Sequence, residues 1–497
     1  MSLPPPTGAD LRRFAEELGL RLSPEAISQY QSLLTHSLSA YETVQETAAR
    51  VTSDPATPSP RYGERVADDS DPHNAWITRC AIDGSADGPL AGVDVAVKDN
   101  VAVAGIEMTC GSRVLEGYEP ARDATVVSRI LEAGGRIVGK TNMDDMAFAG
   151  TGHSSAFGPT RNPRDDERLS GGSSGGSAIV VATSEANAAI GTDQAGSIRA
   201  PASWTGVVGH KPTYGLVPYT GAVGIDPTID HCGPLADSVD AAAALLSVLA
   251  GPDPDDPRQP SSVPAERYEA ALTGRASDLS VAVVEEGFGR SHSERVVDDA
   301  VRDALAALED AGARVESRSV PLHADAQDIF TVSVAEGFLA TVRGNGESHN
   351  RGGRYHPDLQ EAFGRATPAF PPTVVMTLLL GAYAGERFHS RFYGKAMNLR
   401  RELRRAYDEL LAEFDVVAMP TTPQRAITVE DHDTIADELR TAWSNLLNTC
   451  AFNMTGHPSL SIPLEPDGGL PCGLMLTGSQ FADGTVLDAG STVENIC

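Results

Sequence analysis

The chain has 497 residues, 41% of them hydrophobic, with a formal net charge of −29. That apolar content is ample for a large buried core, whereas the negative charge opposes direct binding to nucleic acid or to an anionic membrane, both of which demand basic surface. No run of 18 apolar residues occurs, Met1–Pro6 carries no basic-then-apolar leader, and the 6 cysteines are scattered without metal-type spacing, so the chain reads as a cytoplasmic protein with free thiols, no metal and no cofactor.

Residues 1–50 read as helical. Ser23-Pro24-Glu25 is a helix start: a capping hydroxyl, a proline in the first turn, then an acid near the positive end of the dipole. Ile27, Tyr30, Leu34, Leu38 and Tyr41 then recur at spacings of three and four as one apolar stripe. Residues 52–72, rich in Pro, Asp and Ser, read as a linker, which places a helical extension at 1–70 and the main domain at 71–497.

Val93–Val97 alternates as a strand. Ala124–Ala133 reads as a helix stopped by Gly134-Gly135, and Arg136–Gly139 as the next strand. Strand, helix and strand at this spacing predict βαβ units. Ala178–Ile190 is a buried segment that periodicity leaves open between helix and strand. Further on come a helix at Ser238–Ala250, an acidic loop to Pro260, a strand at Leu279–Val284 and a helix carrying Val297, Val301, Leu305 and Leu308 on one face. Met397–Phe414 reads as an amphipathic helix with Leu399, Leu403, Tyr407 and Leu410 inward, and Val416–Met419 as a buried strand. The expected fold class is α/β: a large mixed, mostly parallel central sheet covered by helices on both faces, with the helical extension at the N-terminus.

The basic residues are skewed. Of 39 in total, only Lys98, Lys140, Lys211 and Lys395 are lysines. High acidity with few lysines fits a protein working in high salt, where a Debye length of about 3 Å screens self-repulsion. It also singles out Lys98, because a buried lysine can lose its proton and act as a base, whereas arginine stays charged.

Two serines stand in glycine-rich sequence downstream: Ser173 in Gly171–Gly176 and Ser197 in Asp193-Gln194-Ala195-Gly196-Ser197-Ile198-Arg199. Ser197 sits in no Gly-x-Ser-x-Gly elbow, and the first run lacks the Lys-Ser/Thr of a phosphate loop. The remaining chemistry is a hydroxyl nucleophile with lysine as base.

In this arrangement the chain resembles the amidase signature family. Gly92–Asn100, Gly139–Asp144, Gly171–Ala178 and Asp193–Pro201 match the four family blocks in order. The resemblance implies that Ser197 is the acyl-forming nucleophile, Ser173 a relay serine in a cis peptide with Gly172, and Lys98 the base. It implies that the backbone N–H groups of Gln194, Ala195 and Gly196, with that of Ser197, hold the oxyanion. Ala195 departs from the usual glycine, and its N–H serves if its φ is negative. Asp193 is expected to brace the turn and Arg199 to pair with a buried acid.

Two branches of the family compete. The A subunit of the tRNA-dependent amidotransferase is a glutaminase that holds a zwitterion with an arginine and an aspartate. Here Met376–Gly381 has no arginine and Leu446–Gly456 no acid, so an apolar pocket is expected. Thr192–Gln194, Gly209–Gly221, Thr228–His231 and the N-terminal extension are instead similar to broad-specificity amidases acting on small aliphatic or aromatic primary amides. A non-catalytic binding member is a third class, opposed by the presence of Lys98, Ser173 and Ser197. Phe148, Gly150 and Thr151 are expected to bind substrate. The partners implied are a small-molecule amide and a second copy, through the N-terminal helices.

Overall fold

The computed structural model describes residues 3–51, 60–66, 70–344, 357–365, 370–430, 434–466 and 469–497. Two compact units emerge, residues 1–57 and 58–497. The smaller holds helices Gly8–Glu17 and Pro24–Val51. Ser23 caps the second, its hydroxyl accepting from the Ala26 N–H at 3.1 Å, as its residue type dictates. Of the apolar stripe, Ile27 is buried while Tyr30, Leu34 and Tyr41 remain exposed, because two helices offer only one seam to fill.

The larger unit is built on strands β1 Gly63–Arg65, β2 Trp76–Ile82, β3 Asp94–Lys98, β4 Arg136–Thr141, β5 Arg161–Asn162, β6 Asp165–Leu169, β7 Ala188–Asp193 and β8 Val208–Lys211. The remaining strands are β9 His231–Ala236, β10 Ser280–Val284, β11 Arg314–Arg318, β12 Val416–Pro420, β13 Ser459–Leu464 and β14 Cys472–Gly478. Strands β5 and β6 pair by themselves; the others form one 12-stranded sheet in the order β1-β2-β4-β3-β7-β9-β8-β13-β14-β12-β10-β11. Every residue of β7, β9, β12 and β14 is buried, so both faces of the central sheet are covered.

The sheet is mixed, but not mostly parallel. Among the described residues, parallel pairing is confined to β3–β4, β3–β7, β10–β11 and β10–β12. The predicted crossover is there: β3, the helix Thr125–Glu132 and β4 make a βαβ unit. Pairs such as β13–β14, close in sequence with too few residues between them for a crossover, run antiparallel. The expected linker also needs correction, since Gly63–Arg65 pairs with Thr78–Cys80 and extends the sheet edge.

The ambiguous segment resolves into both alternatives, a helix Gly175–Ala182 followed by β7. The helix Arg391–Leu411 turns Leu403 and Tyr407 inward as expected, but Leu399 is 41% exposed and Leu410 only half-buried. Arg400 takes the buried position instead and donates to the carbonyls of Thr228 and Met454, each at 3.1 Å. A polar anchor on a helix face is invisible to hydrophobic periodicity.

Candidate active site

Lys98 is the last residue of β3 and Asp193 the last of β7. These strands are parallel neighbours, so their carboxyl ends deliver Lys98 and the Gln194–Ser197 loop to one place. The helix Gly175–Ala182 starts directly after Ser173-Ser174, and the Ser174 N–H donates to the Ser197 carbonyl at 3.1 Å. That bond ties the two serine loops together.

Lys98 and Ser173 are both fully buried, and their Nζ and Oγ lie 2.8 Å apart. The Lys98 nitrogen also donates to the Thr192 carbonyl at 3.2 Å and contacts Thr192 Oγ1 at 3.0 Å. Asn100 Nδ2 holds that hydroxyl at 3.1 Å. Burial pushes the Lys98 ammonium down to about 7, against the opposing pull of the Asp144 and Asp193 carboxylates.

The peptide Gly172–Ser173 is cis. Gly172 allows no side chain: a Cβ there would lie 1.9 Å from Asp144 Oδ2. Asp144 in turn accepts from the Gly152 and Ser154 N–H groups at 3.0 and 2.9 Å, fixing the loop that covers Ser173.

The second serine loop is braced from within. Arg199 Nε and Nη2 donate to the two Asp193 carboxylate oxygens, each at 3.0 Å, and both side chains are fully buried. Burial alone would raise the Asp193 carboxyl; the Arg199 guanidinium overrides it and holds the group well below the usual carboxylate range. The same carboxylate accepts from the Ile198 N–H at 3.1 Å. Substituting Arg199 by Ala leaves Asp193 buried without its ion partner. A destabilisation of about 3–5 kcal/mol is expected, read from urea unfolding midpoints; a shift worth less than about 1 kcal/mol contradicts this account.

Ala195 is not among the residues with positive φ; Gly196 carries the unusual geometry, at φ 143°. A Cβ on Gly196 would meet Thr449 Oγ1 at 2.2 Å. Thr449 donates its hydroxyl to the Ala195 carbonyl, and Asn453 Nδ2 donates to the Asp193 carbonyl at 2.8 Å. A peptide plane carries its C=O and N–H in opposite directions. Holding those carbonyls therefore aims the Gly196 and Gln194 N–H groups to the other side. Gln194 is itself fixed by its Nε2 bond to the Tyr219 hydroxyl at 2.8 Å.

Beside Ala195 lies a cavity of about 260 Å³. Phe330, Val334, Met376, Leu380, Trp443 and Leu446 line much of it, and none of the described lining residues is charged. Phe148, Gly150 and Thr151 are not among its walls. Phe148 packs behind them, its ring 4.1 Å from Phe338 and 6.2 Å from Trp443 between centroids. Gly150 accepts from the Gly172 N–H at 2.7 Å and from Asn445 Nδ2, so it holds the Gly172–Ser173 loop. Thr151 Oγ1 binds His153 Nδ1 at 2.6 Å. Met376–Gly381 and Leu446–Gly456 contribute to the cavity wall as the sequence suggested, whereas the parts played by Thr449, Asn453 and the helix Ala326–Arg343 were not foreseen, since no local motif marks residues that meet the site from distant segments.

Among the described residues there is no cluster of His, Cys, Asp and Glu that suits a metal ion, and no helix long and apolar enough to cross a membrane.

A family model described as Amidase matches residues 67–487. The chain is 39% identical over 491 residues to an enantioselective amidase of Rhodococcus rhodochrous, an alignment covering 97% of this chain and 94% of that one. It is likewise 39% identical over 424 residues to the A subunit of the glutamyl-tRNA(Gln) amidotransferase of Halobacterium salinarum, covering 85% of this chain and 99% of that one. Among solved structures, the A subunit of the Thermotoga maritima glutamyl-tRNA(Gln) amidotransferase superimposes with a TM-score of 0.71 at 32% identity, over 86% of this chain and 88% of the other. The peptide amidase of Stenotrophomonas maltophilia gives 0.67 at 30% identity, over 82% and 83%.

Proposed function

This chain belongs to the amidase family, an enzyme class that acts on amide carbon–nitrogen bonds, and from that premise we propose that it hydrolyses small aliphatic or aromatic primary amides to carboxylic acid and ammonia. In this reading Ser197 attacks the amide carbonyl while its proton passes through Ser173 to Lys98. A neutral lysine has two N–H donors and one lone pair. Its three contacts match that inventory, two on Thr192 and one on the Ser173 hydroxyl. The N–H groups of Gln194, Ala195 and Gly196 receive the developing oxyanion; preorganised donors of this kind are worth about 3–4 kcal/mol each. The relay then protonates the leaving nitrogen, and water cleaves the acyl-enzyme by the reverse path.

The observation that carries the choice of substrate is the uncharged cavity beside Ala195. Glutamine would bring an ammonium and a carboxylate to it, and burying either without a partner is strongly unfavourable. Met376 and Leu380, from the stretch that lacks an arginine, form its wall. Alignment reach points the same way: the match to the Rhodococcus amidase spans 97% of the chain, that to the Halobacterium amidotransferase protein 85%. The exposed Tyr30, Leu34 and Tyr41 support pairing of two copies through the N-terminal helices, and the charge of −29 supports work in high salt without direct contact to nucleic acid.

Ammonia release at high salt from propionamide and benzamide, against glutamine, tests the assignment. Turnover of the first two by the isolated chain is expected. Turnover of glutamine alone, and only with added partner proteins, would overturn it.

A further inference from the structure

The two polar sides of the loop that carries Ser197 are treated unequally. The Asp193 carbonyl accepts from Asn453 Nδ2 at 2.8 Å, the Gly196 carbonyl from the Ala200 N–H at 2.7 Å and the Ser197 carbonyl from the Ser174 N–H at 3.1 Å. The Ala195 carbonyl takes the Thr449 hydroxyl. The N–H groups of Ala195, Gly196 and Ser197, by contrast, make no hydrogen bond among the described residues. Buried N–H groups are rarely left unpaired. The loop therefore ties back its acceptors and keeps its donors open.

Two of the four carbonyl partners are backbone N–H groups. Asn453 also binds the Asp193 carboxylate at 2.8 Å, so changing it disturbs the Arg199 ion pair as well. Thr449 has a simpler part. It is fully buried and forms the N-cap of the helix Cys450–Thr455. A threonine in that position ordinarily turns its oxygen to the first N–H groups of its own helix, but this one makes no such bond. Its single proton goes across the fold to Ala195, with the Leu446 carbonyl at 3.3 Å as the longer alternative. The fit is close, since a Cβ on Gly196 would lie 2.7 Å from Thr449 Cβ.

We infer that Thr449 is a positioning residue for the proposed hydrolysis: by holding the Ala195 carbonyl it fixes the Ala195–Gly196 peptide plane and keeps the Gly196 N–H aimed at the oxyanion. This rests on Ser197 being the nucleophile of an amidase. The N–H group meets the carbonyl oxygen, which every amide has and which gains its charge only in the transition state. Loss of aim therefore falls on kcat rather than KM, and by the same factor whatever the acyl group.

The test is steady-state kinetics on propionamide and benzamide. Thr449→Val keeps the shape and removes the proton; Thr449→Ser keeps the proton. Thr449→Val is expected to lower kcat about 10–100-fold on both amides, the scale on which a small misplacement of a catalytic group acts, with KM close to native. Phenylboronic acid, whose boron takes up the Ser197 oxygen as the serine proton passes to Lys98, becomes a tetrahedral anion and should bind more weakly by a similar factor. Thr449→Ser should restore most of kcat. Thr449→Ala carries the same expectations where the valine variant does not fold. Native kcat in the variant that lacks the hydroxyl overturns the inference, as does a loss confined to KM. A loss on benzamide alone also overturns it, since Thr449 would then shape the cavity beside Leu446 and Cys450 instead of the donor. So does a Thr449→Ser enzyme no better than Thr449→Val. A native chain that turns over neither amide removes the amidase reading itself, and this inference with it.

Discussion

Replacing Ser197 by alanine is expected to reduce kcat on the order of 10⁶-fold, the scale seen when a serine nucleophile is removed from a relay that works as a unit. Ser197 follows Gly196 in the loop braced by Asp193 and Arg199 and tied to the relay loop by the Ser174 N–H. Removing one oxygen from a residue already 2% exposed disturbs little packing, so thermal stability should stay near native while turnover vanishes. Intact mass after a slow substrate should show an acyl adduct on the native chain and none on the variant. A Ser197→Ala enzyme that retains measurable burst kinetics would remove Ser197 as nucleophile.

The second large effect is expected at Lys98. Lys98→Arg should lower kcat/KM by about 10²–10⁴-fold, the usual contribution of a general base. Arginine keeps a positive charge in the same cavity but cannot give up its proton, so the substitution separates charge from basicity. The native pH profile supplies an independent readout. In the proposed role the lysine acts when neutral, and burial pushes its ammonium down to about 7. Below that pH it is protonated and idle; above it the lone pair is free. The rising limb of kcat/KM should therefore have its midpoint near 7. A midpoint near the ordinary lysine value of 10.5 would show that burial does not tune this group.

The lysine census gains meaning from the fold. Lys98, Lys140 and Lys211 are all fully buried, and each is held by specific acceptors. Lys140 pairs with Asp99 at 3.0 Å, and Lys211 donates to the His457 carbonyl at 2.6 Å. Lys395 alone of the four is on the exposed face of its helix. A surface lysine is readily exchanged for arginine, whereas a buried one fits its acceptors with a compact head group that the planar guanidinium does not reproduce. The scarcity that drew attention to Lys98 thus reflects burial of three lysines, with only one placed against a serine.

Local sequence determined the serine loops, the βαβ unit around Lys98 and the helix starts at Ser23 and Ser238, because caps, glycine runs and short strand patterns act within a few residues of themselves. It also carried the family blocks, since Lys98, Ser173 and Ser197 each lie inside a contiguous motif. Only the tertiary structure decided that β3 and β7 are neighbours, that Thr449 and Asn453 hold the carbonyls behind the Gln194 and Gly196 amides, and that Trp443 rather than Phe148 lines the cavity. The Thr449 and Asn453 contacts join residues more than two hundred positions apart in the chain. Phe148 packs against the Phe338 ring instead of lining the cavity, and packing of that kind leaves no local pattern in a sequence.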